Sequence, residues 1–292
     1  MHDNEAVVTA RLARALLGAS MPDLAALPLH RVGGAGTDTA LFRLGPDLVA
    51  RFPRRPIAEA QIEPLARWLP DLAPHLPLAV PLTHRTGSPG FGYPFAWSVG
   101  SWLAGRDALA APADQMAAAH ALADLLQALH ARPCPQSAPL RGLADRIDLT
   151  LAGLDPFIAQ FADEADPALL RRCVAEAKKA PAFHGPPVWV HGDLHPLNLL
   201  TRRGRLSAVI DWGGMGLGDP GMDLMVAWTV LDAPARFVFR ARLRPDPAAW
   251  ARGRAQALAK AIMAIPCYRR SNPVFHAAMR RALDRVLDDA AG

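Results

Sequence analysis

Residues 188–223, VWVHGDLHPLNLLTRRGRLSAVIDWGGMGLGDPGMD, constrain this chain more than any other stretch. Within them His191, Asp193 and Asn198 stand in the order H-x-D-x-x-x-x-N, and Asp211 opens D-W-G at the end of an apolar run. Pro186 and Pro187 stop whatever precedes, residues 188–190 form a short β-type run, and His191-Gly192-Asp193 leaves it as a loop. Residues 197–201 and 206–210 read as two strands joined at Arg202-Arg203-Gly204-Arg205, a turn that returns Asp211 towards Asn198. Phosphoryl transfer needs this layout: one carboxylate beside an attacking hydroxyl, plus an amide and a second carboxylate to hold Mg²⁺ against nucleotide phosphates. Asp193 is then the candidate catalytic base, and Asn198 and Asp211 are the candidate metal ligands, all-oxygen donors that suit a hard cation. A turn residue at Asp193 and a strand-end cap at Asn198 would be the purely structural alternative. Three polar residues at this spacing, followed by an Asp at a strand end, favour the chemical one.

A metal-dependent hydrolase is a competing reading, because His191 and His195 are four apart with Asp193 between them and Asp211, Asp219 and Asp223 downstream. Such a histidine pair chelates zinc from a helix. Gly192 and Pro196 both oppose helix here, so His191 is expected to brace the loop and His195 to be structural or near the phosphates.

At 292 residues the chain is long enough for two lobes with their own cores, expected at 1–103 and 104–292. Apolar residues reach 51% without any run approaching a membrane span, and the N-terminus carries acids early with no secretory pattern. Cys134, Cys173 and Cys267 are scattered, as expected of thiols in a reducing, cytoplasmic compartment. The net charge is +5, yet the arginines are spread along helical segments without interleaved aromatics, which argues against nucleic acid as partner. A monomer or weak dimer is expected.

The first lobe should start with a helix near residues 4–17 capped by Asp3 or Asn4. A Gly-rich turn follows in HRVGGAGTDTALFR; its backbone N–H groups, at Gly34, Gly36 and Thr37, can lie over phosphates without side-chain obstruction. The strand after it, LVARFP, places Arg51 where a phosphate-reaching cation belongs, and Glu63, preferred over Glu59, would be its carboxylate partner with Pro64 in the first helical turn. Short strands fill residues 76–103, the last at 95–99, and a connector at 100–105 leads on; Ser98 and Val99 are the candidates to meet an adenine edge. The second lobe is α-rich. Helices are expected at 112–131, with Met116, Leu122, Leu125, Leu126 and Leu129 as core, across 140–179, and at 247–265 and 273–289. The acids at 145, 148, 155, 163, 164 and 166 are expected to be a solvated face. Asp219 and Asp223 stand at a helix start, where Asp223 is expected to brace the structure.

With HGDLHPLN, the D-W-G segment, GTDTALFRL, YPFAWSV and WARGRAQAL…IPCYRRSNP in hand, the chain resembles the aminoglycoside phosphotransferase family over nearly its whole length. That resemblance implies an α+β, bilobal protein-kinase-like fold, ATP or GTP with Mg²⁺, Asp193 as base, Asn198 and Asp211 as metal ligands and His191 supporting the loop. It further implies transfer of a γ-phosphoryl group to a hydroxyl of a small molecule, such as an aminoglycoside, macrolide or tuberactinomycin-type antibiotic. Two positions depart from the family. Arg51 stands where a lysine is usual, which keeps open a nucleotide-binding protein with little turnover, and the C-terminal DDAAG lacks a terminal aromatic carboxylate.

Overall fold

The computed structural model describes residues 5–33, 38–140, 150–161 and 164–291. They divide into two units, one of residues up to Pro74 with Ala79–Ala104, the other of His75–Leu78 with Gly105 onwards, so residues 75–78 group with the second unit across the linear split.

The first unit is built on an antiparallel sheet of β1 (Leu29–Arg31), β2 (Thr39–Leu44), β3 (Leu48–Pro53), β4 (Thr83–Gly87) and β5 (Trp97–Ser101), in spatial order β1-β2-β3-β5-β4. In β2 the alternation is visible residue by residue, with Ala40, Phe42 and Leu44 buried. Phe42 and Phe52 meet edge to face at 5.8 Å, Phe52 stacks on Trp97 at 5.0 Å, and Leu16 and Leu17 of α1 (Ala10–Ser20) complete this core. Helix α1 starts later than expected. Its cap is Thr9, whose hydroxyl accepts the Leu12 N–H at 3.1 Å, while Asp3 and Asn4 lie outside the described residues. After β3 come α2 (Pro56–Glu59) and α3 (Ile62–Leu72).

The second unit is mainly helical: α4 (Gln115–His130), α5 (Asp155–Ile158), α6 (Pro167–Ala177), α7 (Gly221–Leu224), α8 (Val226–Thr229), α9 (Ala233–Leu243), α10 (Pro247–Tyr268) and α11 (Pro273–Ala291). Its starts are written in the sequence. Asp114, Asp166, Asp232 and Asp246 each accept a first-turn N–H of the helix that follows, and a proline opens three of those helices, where no N–H is needed. Met116, expected in the core of α4, is 43% exposed because it falls off the stripe made by Leu122, Leu125, Leu126 and Leu129. The stretch 140–179 is broken: α5 and α6 are separated, residues 141–149, 162 and 163 lie outside the described residues, and Pro156 and Pro167 restart the chain. Two small ladders complete the unit, β7 (Val188–Val190) with β10 (Gly216–Gly218), and β6 (Arg106–Asp107) with the hairpin β8 (Leu199–Arg202) and β9 (Arg205–Val209). Among the described residues no helix is long and apolar enough to cross a membrane.

Candidate active site

Strand β7 ends at Val190, and the chain then turns sharply at Gly192, which adopts φ +82°. The turn is held from outside. Asp223 of α7, fully buried, accepts the His191 N–H at 3.0 Å and the Gly192 N–H at 2.8 Å, with His130 Nε2 3.4 Å away. Against it lies the segment after β9: a Cβ on Gly192 would come within 2.8 Å of the Gly214 carbonyl oxygen, and one on Gly214 within 3.0 Å of that of His191. Gly192→Ala is therefore expected to lower stability by ~1–3 kcal/mol or more, combining an unfavourable φ with a backbone clash. A denaturant midpoint equal to the parent's would show that the turn can relax.

His191 ties the loop together from within. Its Nε2 donates to the Ile210 carbonyl at 3.0 Å and its Nδ1 accepts the Asp193 N–H at 3.2 Å, which requires the neutral Nε2–H tautomer. Burial pushes the imidazole pKa down and prevails over the raising effect of Asp223, Asp193 and Asp211, in keeping with that tautomer. With both ring nitrogens engaged, His191 is not available as a zinc ligand. Among the described residues no group of three or more His, Cys, Asp or Glu is placed to hold a metal.

Asp193 leaves this frame with its carboxylate about one-third exposed. Its carbonyl accepts Asn198 Nδ2 at 2.8 Å, Lys260 Nζ lies 2.6 Å from Oδ1, and His195 Nε2 lies 3.5 Å from Oδ2. Burial alone would raise the Asp193 pKa, but the hydrogen bond from His195 and the charge of Lys260 hold it well below the usual carboxylate range. Asn198, 5% exposed, spends Nδ2 on the Asp193 carbonyl, with His195 Nε2 3.2 Å away, so Oδ1 is the end left for a cation. The Ile210 N–H donates to the Asn198 carbonyl at 2.9 Å, so the hairpin brings Asn198 beside the strand that ends in Asp211. Asp211 is exposed and left-handed at φ 62°, ψ 59°, a conformation Asp tolerates better than most residues. This oxygen-only pair fits Mg²⁺.

The residues expected around the nucleotide are placed unevenly. Gly34, Gly36 and Thr37 lie outside the described residues. Arg51 sits half-buried in β3, opposite Leu41 of β2 and Ser98 of β5. Glu63 is exposed at the start of α3 and its ion pair is with Arg67 at 3.9 Å, one helical turn on, rather than with Arg51. Glu59 is the half-buried one, and it accepts the Ala96 N–H at 2.6 Å just ahead of β5. Ser98 and Val99 are also corrected. They lie in an interior strand, paired with β3 on one side and β4 on the other, and are 3% and 1% exposed, which commits their backbone groups to the sheet. The N–H groups of Ser101 and Trp102 are committed as well, to Leu82 and Asp47, so Leu103 and Ala104 are the first beyond β5, among the described residues, without a backbone partner.

Two charged side chains beside these segments escape the sequence reading. Lys260 was part of a helix that reads as ordinary packing, and Arg252, on the same helix, forms a buried two-point ion pair with Asp219, Nε to Oδ2 at 2.6 Å and Nη2 to Oδ1 at 3.0 Å. The available signal was Arg252 and Lys260, two turns apart in the largely apolar run WARGRAQALAKAIMAI, each of which needs a carboxylate when buried.

A β-rich unit joined in sequence to a helical unit that carries H-x-D-x-x-x-x-N and D-W-G on facing segments makes a protein-kinase-like fold. Solved structures agree in fold. They include the GDP and kanamycin complex of APH(2")-IIia (17% identity, covering 96% of this chain and 98% of that one, TM-score 0.67) and the GDP complex of wild-type aminoglycoside 2'-phosphotransferase-IIIa (16%, 97% and 100%, 0.69). Macrolide 2'-phosphotransferase MphH from Brachybacterium faecium is similar as well (23%, 94% and 98%, 0.60). No curated protein matches in sequence. Residues 30–259 match the model of the phosphotransferase enzyme family, and the chain belongs to that family.

Proposed function

We propose that this chain moves the γ-phosphoryl group of ATP or GTP to a hydroxyl of a small molecule, an antibiotic being the class that the names of its structural neighbours suggest. The observation that carries this reading is the single hydrogen-bonded frame in which His191 links the Asp193 backbone to the strand end that bears Asp211, while Asn198 links to Asp193 from the other side. Asp193 would accept a hydrogen bond from the acceptor hydroxyl, orient it, and take its proton as the new P–O bond forms. Asn198 Oδ1 and the Asp211 carboxylate would hold Mg²⁺, which when bound offsets phosphate charge and fixes the triphosphate.

The test is nucleotide consumption with Mg²⁺ against a panel of hydroxylated antibiotics and metabolites. In the same assay Asp211→Ala is expected to lose the Mg²⁺-dependent part of nucleotide affinity, read by titrating nucleotide with and without the metal. Equal binding by parent and variant in Mg²⁺ would remove Asp211 from the site.

A further inference from the structure

Helix α10 is fixed where it meets α7. A Cβ on Gly253 of α10 would come within 2.5 Å of the Leu224 Cβ, and one on Gly221 of α7 within 3.1 Å of the Arg252 Cβ, so the two helices touch without room for another side chain. The Arg252–Asp219 pair ties down the same end of α10. Two turns on, Ala259, Ala261 and Ile262 are at most 1% exposed, and Lys260 between them brings its ammonium to 2.6 Å from Asp193 Oδ1. Since α7 also carries Asp223, which holds the His191 and Gly192 N–H groups, one packed pair of helices sets both the backbone of the loop and the cation beside its carboxylate.

The two oxygens of Asp193 are not equivalent. The last torsion of an Asp side chain is broad and roughly two-fold, so the side chain alone does not decide which oxygen faces which way. Oδ1 has the short, charge-assisted contact with Lys260. Oδ2 has His195 Nε2 at 3.5 Å, the outer limit of a hydrogen bond, and that nitrogen also stands 3.2 Å from Asn198 Nδ2. An acceptor that approaches this partly exposed carboxylate therefore displaces the contact at Oδ2 more readily than the one at Oδ1.

We infer that Lys260 is a positioning residue: it pins Oδ1 and thereby presents Oδ2 to the acceptor hydroxyl. This rests on the phosphotransferase reading above, since it takes Asp193 to meet the acceptor. With its charge matched by Asp193, Lys260 acts through the direction of its bond and touches neither nucleotide nor acceptor. A carboxylate released from Oδ1 points correctly for only part of the time, and Lys260→Met is expected to lower turnover on the order of 10- to 100-fold, with the nucleotide KM close to the parent's. In Asp193→Asn the amide oxygen stays with Lys260 and the NH₂ group takes the place of Oδ2, so the proton acceptor is already gone. In that background Lys260→Met is expected to cost little more.

The experiment is a double-variant cycle. Nucleotide consumption by the parent, Lys260→Met, Asp193→Asn and the double variant is measured with Mg²⁺, under steady-state and single-turnover conditions, with the panel of hydroxylated compounds and with water as acceptors. The expected result is a loss in turnover for Lys260→Met that disappears once Asp193 is Asn. Lys260→Gln carries the same comparison should Lys260→Met fail to fold. Parental turnover in the Lys260 variant, or a loss explained wholly by a raised nucleotide KM, overturns the inference. So does a loss of equal size in both backgrounds, which would put the ammonium on phosphate or acceptor directly. Failure of the phosphotransferase reading looks different: the parent itself then consumes no nucleotide with any acceptor.

Discussion

Asp193→Asn is expected to lower phosphoryl turnover by ~10²–10⁴-fold, the usual contribution of a positioned proton acceptor. The change is nearly isosteric, and an amide oxygen can still accept from Lys260 Nζ, so the loop should keep its shape. Asn198 meets Asp193 through the backbone carbonyl, which the substitution leaves in place, so nucleotide affinity should stay close to the parent's. Steady-state turnover and an independent nucleotide titration separate the two effects. A variant that turns over at the parental rate would remove Asp193 from the chemistry, and one that lost nucleotide binding in step with turnover would make it a structural residue.

The second large effect concerns stability. Asp219 and Arg252 are 5% and 3% exposed and joined by two short contacts; Arg252 also donates to the Pro181 carbonyl at 2.8 Å. Asp219→Ala leaves a guanidinium buried beside a single neutral acceptor, which is expected to cost about 3–5 kcal/mol. Against a total of about 5–15 kcal/mol this is a large share, visible as an early denaturant midpoint. Removing the cation as well, in Asp219→Leu with Arg252→Met, should recover much of the loss, because the penalty lies in the unmatched charge rather than in the missing pair. A loss under about 1 kcal/mol in the single variant would mean that water reaches Arg252.

Local chemistry was legible and long-range placement was not. The loop at His191–Asp193, the hairpin that returns Asp211 and the Asp-capped helices follow from glycines, prolines and caps within a few residues of where they act. Ser98 and Val99 were misplaced because strand order decides which strand has free edges, and the insertion of β5 between β3 and β4 is a tertiary fact. Glu63 and Glu59 are one helical turn apart in sequence, and only the true helix start at Ile62, with Glu59 left on the preceding turn, tells which is covered. Lys260 is 67 positions from Asp193 and Arg252 is 33 from Asp219, and no local pattern names either partner.

Those separations also have a meaning in time. A chain leaves the ribosome from its N-terminus, so the HGD loop emerges before Asp223, which holds its two N–H groups from 31 and 32 residues downstream, and well before Lys260. At about 5–20 residues per second the Asp193 carboxylate waits several seconds for its counter-ion. Until α10 has been made and docked, the loop keeps an unmatched charge that water must solvate. The first unit, by contrast, has all its strands in hand by residue 104 and can close its core while the second is still being synthesised. A nascent chain therefore acquires its β-rich unit early and the surroundings of Asp193 late, and no shortened product that stops before α10 holds the Asp193–Lys260 pair.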